Sequence, residues 1–149
     1  MISEIFEEID LIMKKTELDE SEEEGISVAD YILRLKDKHT WEALQSALFS
    51  VLADNSRSEE EYYQIALVFY YAALDNEYNK STKINFNKET ILGLLYYRLS
   101  SDEFYDNILW SITTILYNLD YANSDYEPMK DERIIREIAK YGFTFKELG

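Results

Sequence analysis

The chain has 149 residues, enough for one domain with a real core, and its 46% apolar and 30% charged content is that of a folded chain rather than a disordered one. With 4 Gly and 1 Pro there are too few turn formers for a β-sandwich or barrel, and with no Cys there are no disulfides, thiolate nucleophiles or Cys-ligated zinc. Acids outnumber bases by 30 to 15, a formal charge of -15, which weighs against direct contact with nucleic-acid phosphates and favours a basic partner.

Helical periodicity begins at the N-terminus and runs through nearly the whole sequence. Ile2, Ile5, Phe6, Ile9 and Met13 share one face, and Lys14 and Lys15 are expected to close this first helix against its dipole. Acids interleaved in MISEIFEEIDLIMKK are unlike a secretory signal, so a cytoplasmic chain is expected. The acidic stretch 17–24, followed by Gly25, reads as a solvated loop. Ser27 and Asp30 then cap a second helix with Val28, Tyr31, Ile32 and Leu35 inward. Arg34, Lys36, Lys38 and His39 lie at its C-terminal end, and His39 reads as a dipole-compensating surface residue.

Thr40 caps a third helix with the stripe Trp41, Leu44, Ala47, Leu48, Val51 and Leu52. After a turn at 54–57, Ser58 and Glu61 form a capping box that opens a fourth helix. From Ile65 this helix is apolar on nearly every side, which predicts a central helix packed on more than one face; its apolar run, 65–74, is too short to span a membrane. The polar stretch 76–86 reads as a loop. Asn87 caps a fifth helix with Ile91, Leu94, Leu95 and Leu99 inward, and Ser100 with Glu103 opens a sixth with Phe104, Ile108, Ile112, Ile115 and Leu119 inward. A loop over 121–127 leads to Pro128 in the first turn of a seventh helix, which carries Ile134, Ile135, Ile138 and Ala139 and stops at Gly142.

The expected fold is therefore all-α, a single domain over 1–149 of about seven helices in antiparallel hairpins. N-terminal helices occupy 1–39, hairpins 40–76 and 87–121, and a C-terminal helix 128–142. EALQSALFSVL (42–52) aligns with ETILGLLYYRL (89–99), and EEYYQIALVFYYAAL from Glu60 with DEFYDNILWSITTIL from Asp102. Two related hairpins fit a HEAT- or armadillo-like stack. An irregular helical bundle is the alternative, because any two amphipathic helices share apolar positions.

Catalytic patterns are missing. A single histidine leaves no imidazole cluster, and the four scattered glycines form no phosphate loop. ExxE pairs (Glu4/Glu7, Glu17/Glu20, Glu20/Glu23) and ExxD pairs (Glu7/Asp10, Glu103/Asp106) are not arranged as a helical magnesium site requires, and so many acids produce such pairs by chance. No catalytic residue, metal or cofactor is expected, and the chain reads as a non-enzyme.

The informative pattern is a second stripe. Glu103, Asp106, Trp110, Thr113, Tyr117 and Tyr121 recur at helical spacing opposite the core stripe of their helix. Aligned with them on the fourth helix are Glu61, Gln64, Val68, Tyr71 and Asp75. Tyr78, Asp120, Asp125 and Tyr126 continue the same chemistry in the neighbouring loops. Adjacent tyrosines (Tyr62/Tyr63, Tyr70/Tyr71, Tyr96/Tyr97) point about 100° apart on a helix, so one ring of each pair can reach the surface. Aromatics supply contact area at low entropy cost and acids steer a basic partner. The competing reading is that Trp110 and the tyrosines pack against a neighbouring helix.

EEYYQIALVFYYAALDNEY and DEFYDNILWSITTILYNLDYANSDYE, in a small, Cys-free, strongly acidic helical chain, resemble bacterial immunity proteins of contact-dependent inhibition and other polymorphic toxin systems, some of which have HEAT-like helices. The resemblance covers 40–127. It implies non-enzymatic neutralisation of a basic toxin domain, often a nuclease, by a tight stoichiometric complex in the cytosol. An acidic DNA mimic acting on a nucleic-acid-binding protein is an alternative, weakened by the aromatic residues that interrupt the acids; a helical-repeat scaffold is another. Direct binding of nucleic acid, membrane or a small molecule is not expected.

Overall fold

The computed structural model describes residues 2–18, 28–78, 85–99 and 130–145. They form α1 (Ile2–Leu18), α2 (Val28–Leu33) tightening into a 3-10 turn (Arg34–Asp37), α3 (Trp41–Ala53), α4 (Glu59–Tyr78), α5 (Lys88–Leu99) and α6 (Glu132–Ala139). The protein is all-α, with no strand among the described residues. The expected helix at 100–121 and the turn at Pro128 lie outside the described residues.

The core is assembled around α3 and α4. All six residues of the expected α3 stripe are buried, and Thr40 Oγ1 caps the helix by accepting the Ala43 N–H at 3.2 Å. A large apolar side chain removed from water here contributes about 1.5–3 kcal/mol, so the stripe dominates what fixes this helix. Between α3 and α4, Asp54 accepts the Ser56 N–H at 2.9 Å and its hydroxyl at 2.6 Å, and these bonds hold its carboxyl below the usual range. The capping box then closes as its residue types require. Ser58 Oγ accepts the Glu61 N–H at 3.2 Å and Glu61 Oε1 accepts the Ser58 N–H at 3.4 Å.

α4 packs on α2, α3 and α5, which accounts for its apolar residues on nearly every side: Ile65, Ala66, Val68, Phe69, Ala72 and Ala73 are all buried. Phe69 meets Trp41 edge-on at 6.1 Å and stacks on Phe49 at 5.8 Å. α1 lies on α3 through Ile5, Ile9 and Met13, and α6 lies on α5 through Ile134 and Ile138. Two α3 side chains also reach the entrance of α5. Trp41 Nε1 donates to the Asn85 carbonyl and Gln45 Oε1 accepts the Asn87 N–H, both at 3.0 Å. Asn87 stands at the expected start of α5, its carbonyl accepting the Ile91 N–H at 3.0 Å.

Several boundaries differ from the sequence reading. α1 runs past Lys14 and Lys15 to Leu18, so Glu17 is helical rather than the start of a loop. α2 has only six residues before the chain tightens into the 3-10 turn; Ala29, Ile32 and Leu35 form its buried side, while Tyr31 and Val28 are half-buried. His39 is not a surface dipole partner. It is 17% exposed, and its Nε2 lies 3.0 Å from Glu8 Oε2, joining α1 to the segment before α3. α4 continues to Tyr78, so 75–78 are helical.

α6 starts from Asp131, whose side chain accepts the Arg133 N–H at 3.0 Å, and it leaves Ile135 and Ala139 exposed. Its end follows the expectation at Gly142, which has φ 82°. The Phe143 N–H donates to the Ile138 carbonyl at 3.1 Å and the Gly142 N–H to the Ala139 carbonyl at 3.0 Å, the Schellman pattern. Phe143 is thereby turned back into the core, stacked on Tyr97 at 4.3 Å.

Candidate functional site

The acidic-aromatic face is described on α4. Glu59 and Glu60 are exposed in its first turn, where carboxylates also suit the helix dipole. Glu61 is part-buried and engaged on both sides, by the Ser58 cap and by Arg57 Nη1 at 3.0 Å. Gln64 Nε2 donates to Glu60 Oε1 at 2.9 Å; its Oε1 is buried and has no hydrogen-bond partner among the described residues.

One turn on, Val68 is fully buried. The aligned face is therefore not one continuous outer strip. A helix packed against three neighbours has little free circumference, and Val68 falls within the packed part. Tyr71 is half-buried, its ring 5.7 Å from that of Tyr70. Of the Tyr62/Tyr63 pair, Tyr62 is buried and Tyr63 half-buried, as the angular separation of neighbours allows. Burial raises the Tyr63 phenol above its ordinary value, and nearby Tyr71 and Glu60 add to the rise. Glu60, Tyr63, Gln64 and Tyr71 thus form one neighbourhood on α4. Asp75 and Tyr78 belong to the last turns of the same helix. Glu103, Asp106, Trp110, Tyr117, Asp120, Tyr121, Asp125 and Tyr126 lie outside the described residues.

Two arginines organise the surroundings of this face, and neither stands out in the sequence. Arg57, 12% exposed, donates to Asp10 of α1, to Glu61 at 3.0 Å and to Asp54 at 3.1 Å, and lies 5.1 Å over the Phe6 ring. Burial opposes its charge, yet the hydrogen bonds to Asp10 and Glu61 more than offset this and raise its pKa above the ordinary value. Arg98 donates to the Leu52 carbonyl at 2.6 Å and to Asn55 Oδ1 at 2.8 Å. Its guanidinium stands over Tyr62 at 4.6 Å, Phe143 at 4.9 Å and Tyr97 at 5.1 Å. Both are structural clamps. Asp10, Asp54 and Glu61 are occupied by one of them, and no group of three metal-ligating side chains occurs among the described residues.

A second feature lies at the other end of the described chain. A cleft of about 540 Å³ opens between the start of α5 and α6, lined by Asn87, Glu89, Arg133, Arg136, Glu137 and Lys140. Lys140 Nζ at 2.5 Å and Thr90 Oγ1 at 2.6 Å both donate to Glu137, and they hold its carboxyl below the usual range. Arg133 grips Asp131 through Nε at 3.1 Å and Nη2 at 2.8 Å. The helical spacing of these cations is visible in the sequence, but the cleft depends on how α6 lies against α5.

Comparison with protein-family models, with curated proteins and with solved structures finds no match to this chain.

Proposed function

We propose that this protein is a non-enzymatic inhibitor of the immunity-protein kind, which neutralises a basic toxin domain by stoichiometric binding through its acidic and aromatic helical face. The observation that carries this reading is the α4 neighbourhood in a chain of charge -15. Exposed Glu59 and Glu60 adjoin half-buried Tyr63 and Tyr71, so steering charge and anchoring rings occupy one surface. Val68 is buried and is not part of this surface, which runs from the acidic first turn to the Tyr71 end. In this reading Asp75 and Tyr78 extend the Tyr71 end, and Glu103, Asp106, Trp110, Tyr117, Asp120, Tyr121, Asp125 and Tyr126 supply the rest of the face. An interface of roughly 1,600 Å² is enough for nanomolar affinity when the rings act as anchors.

The test begins with capture from the native host using the tagged full-length chain. A basic protein should be recovered whose expression arrests growth and whose toxicity is relieved by an equimolar amount of this chain. With that pair, Trp110→Ala should speed dissociation by about tenfold or more. Asp106→Lys should slow association, and the loss should shrink as salt is raised. Capture of acidic proteins alone, failure to relieve toxicity, or unchanged kinetics in both variants would overturn the reading.

A further inference from the structure

We propose that Phe143 is a C-terminal latch for the acidic entrance to α4. While its ring is seated, Arg98 holds the turn at 54–57; when the ring leaves, that turn and the first turn of α4 loosen together. Such a latch acts on the free protein, whether or not the α4 face binds a toxin. The connection runs through a series of direct contacts. Phe143, 6% exposed, stacks on Tyr97 with the ring centroids 4.3 Å apart and the planes 8° apart. The Arg98 guanidinium lies against both of these rings and against Tyr62, so three aromatic faces fix its position. From there it donates to the Leu52 carbonyl at 2.6 Å and to Asn55 Oδ1 at 2.8 Å. Leu52 belongs to the last turn of α3, where a helix leaves its carbonyls without an internal partner. Tyr62, beneath the same guanidinium, donates its hydroxyl to the Asp54 carbonyl at 2.5 Å. Asp54 in turn holds Ser56 and Arg57, and Arg57 holds Glu61 in the first turn of α4.

Phe143 is the member of this series best placed to move. It follows Gly142, whose φ of 82° turns the chain back at the end of α6, and the Schellman bonds of these two residues keep that turn. Terminal segments are the parts of a fold that open most readily. Tyr97 and Arg98 are only half-buried, so the ring sits at the margin of the core and water can replace it without leaving a sealed cavity. With the ring gone, the guanidinium loses one of its three faces. A long side chain that is no longer fixed by packing holds its hydrogen bonds at a greater entropic cost. The bonds to Leu52 and Asn55 then weaken although Phe143 touches neither of them, and the turn loses its support from α5.

The measurement is ¹⁵N relaxation on the full-length protein. Phe143→Ala should lower the order parameters of Arg98 Nε–H and of the Asn55, Ser56 and Arg57 amides from near 0.85 to about 0.7 or below, with Ile9 and Leu48 unchanged. Phe143→Leu keeps the apolar bulk without a ring face and should give a smaller loss at the same sites in a protein closer to wild-type stability. Phe143→Tyr keeps the ring and should preserve the wild-type values. Arg98→Met retains packing against the rings but removes the hydrogen bonds, so in that background Phe143→Ala should produce no further loss at the turn. A loss confined to residues 140–145, an equal loss at the turn with and without Arg98, or a loss at Ile9 and Leu48 as large as at the turn would each overturn the proposal.

Discussion

Gly93 of α5 packs directly against α6. A Cβ at this position would overlap Ile138 Cγ2 and lie 3.2 Å from Ile134 Cγ2, and both of those isoleucines are fully buried. Alanine would improve helix propensity by about 0.5–1 kcal/mol, but overpacking a closed interface costs about 1–3 kcal/mol. The steric effect is the larger one. Gly93→Ala should therefore destabilise the protein by about 1–2 kcal/mol, seen in thermal unfolding as a midpoint lower by roughly 3–6 °C. A raised midpoint would mean that α6 moves away from α5 at no cost.

At the scale of elements, Arg57 joins α1 to the turn between α3 and α4. Without its guanidinium, Asp10, Asp54 and Glu61 lose their shared cation, although each carboxylate still reaches water. Arg57→Met should cost about 1.5–3 kcal/mol. In amide hydrogen exchange the loss should appear first as faster exchange throughout α1, with α5 and α6 unchanged. Uniform acceleration across all helices would show that Arg57 supports the whole fold instead.

The elements also show what the sequence reveals. The helices α3 and α4 were legible because their signals are local: a stripe at helical spacing, a Thr cap, and a Ser58–Glu61 box whose partners are three residues apart. Lys14 and Lys15 suggested an early end to α1, but favourable charge near a terminus does not break a helix, and nothing there does. Of the candidate site, Glu61 was readable as a cap but not as a partner of Arg57. Adjacency showed that one ring of Tyr62 and Tyr63 could be outside without showing which. Spacing sets Val68 on the outer face, whereas it is buried, because the packing of α4 against three helices is a tertiary fact. The bonds from Arg57 to Asp10 and from Arg98 to Leu52 and Asn55, and the approach of α6 to α5 at the cleft, join residues distant in the chain, and no spacing rule reaches them.

For the whole molecule, the charge of -15 opposes compaction while the apolar core and the arginine clamps favour it. Raising salt from about 10 to 150 mM shortens the screening length from roughly 30 to 8 Å. That weakens repulsion across the surface more than the close, part-buried contacts around Arg57. The unfolding midpoint should rise over this range, and a fall would show that attractive ion pairs outweigh the surplus of like charge. The bonds from Trp41 and Gln45 to Asn85 and Asn87 have a consequence for how the chain is indexed. The register of α5 is tied to α3 directly, immediately before the helix begins. Loss of either bond is therefore felt first where α5 begins, one turn ahead of its buried residues.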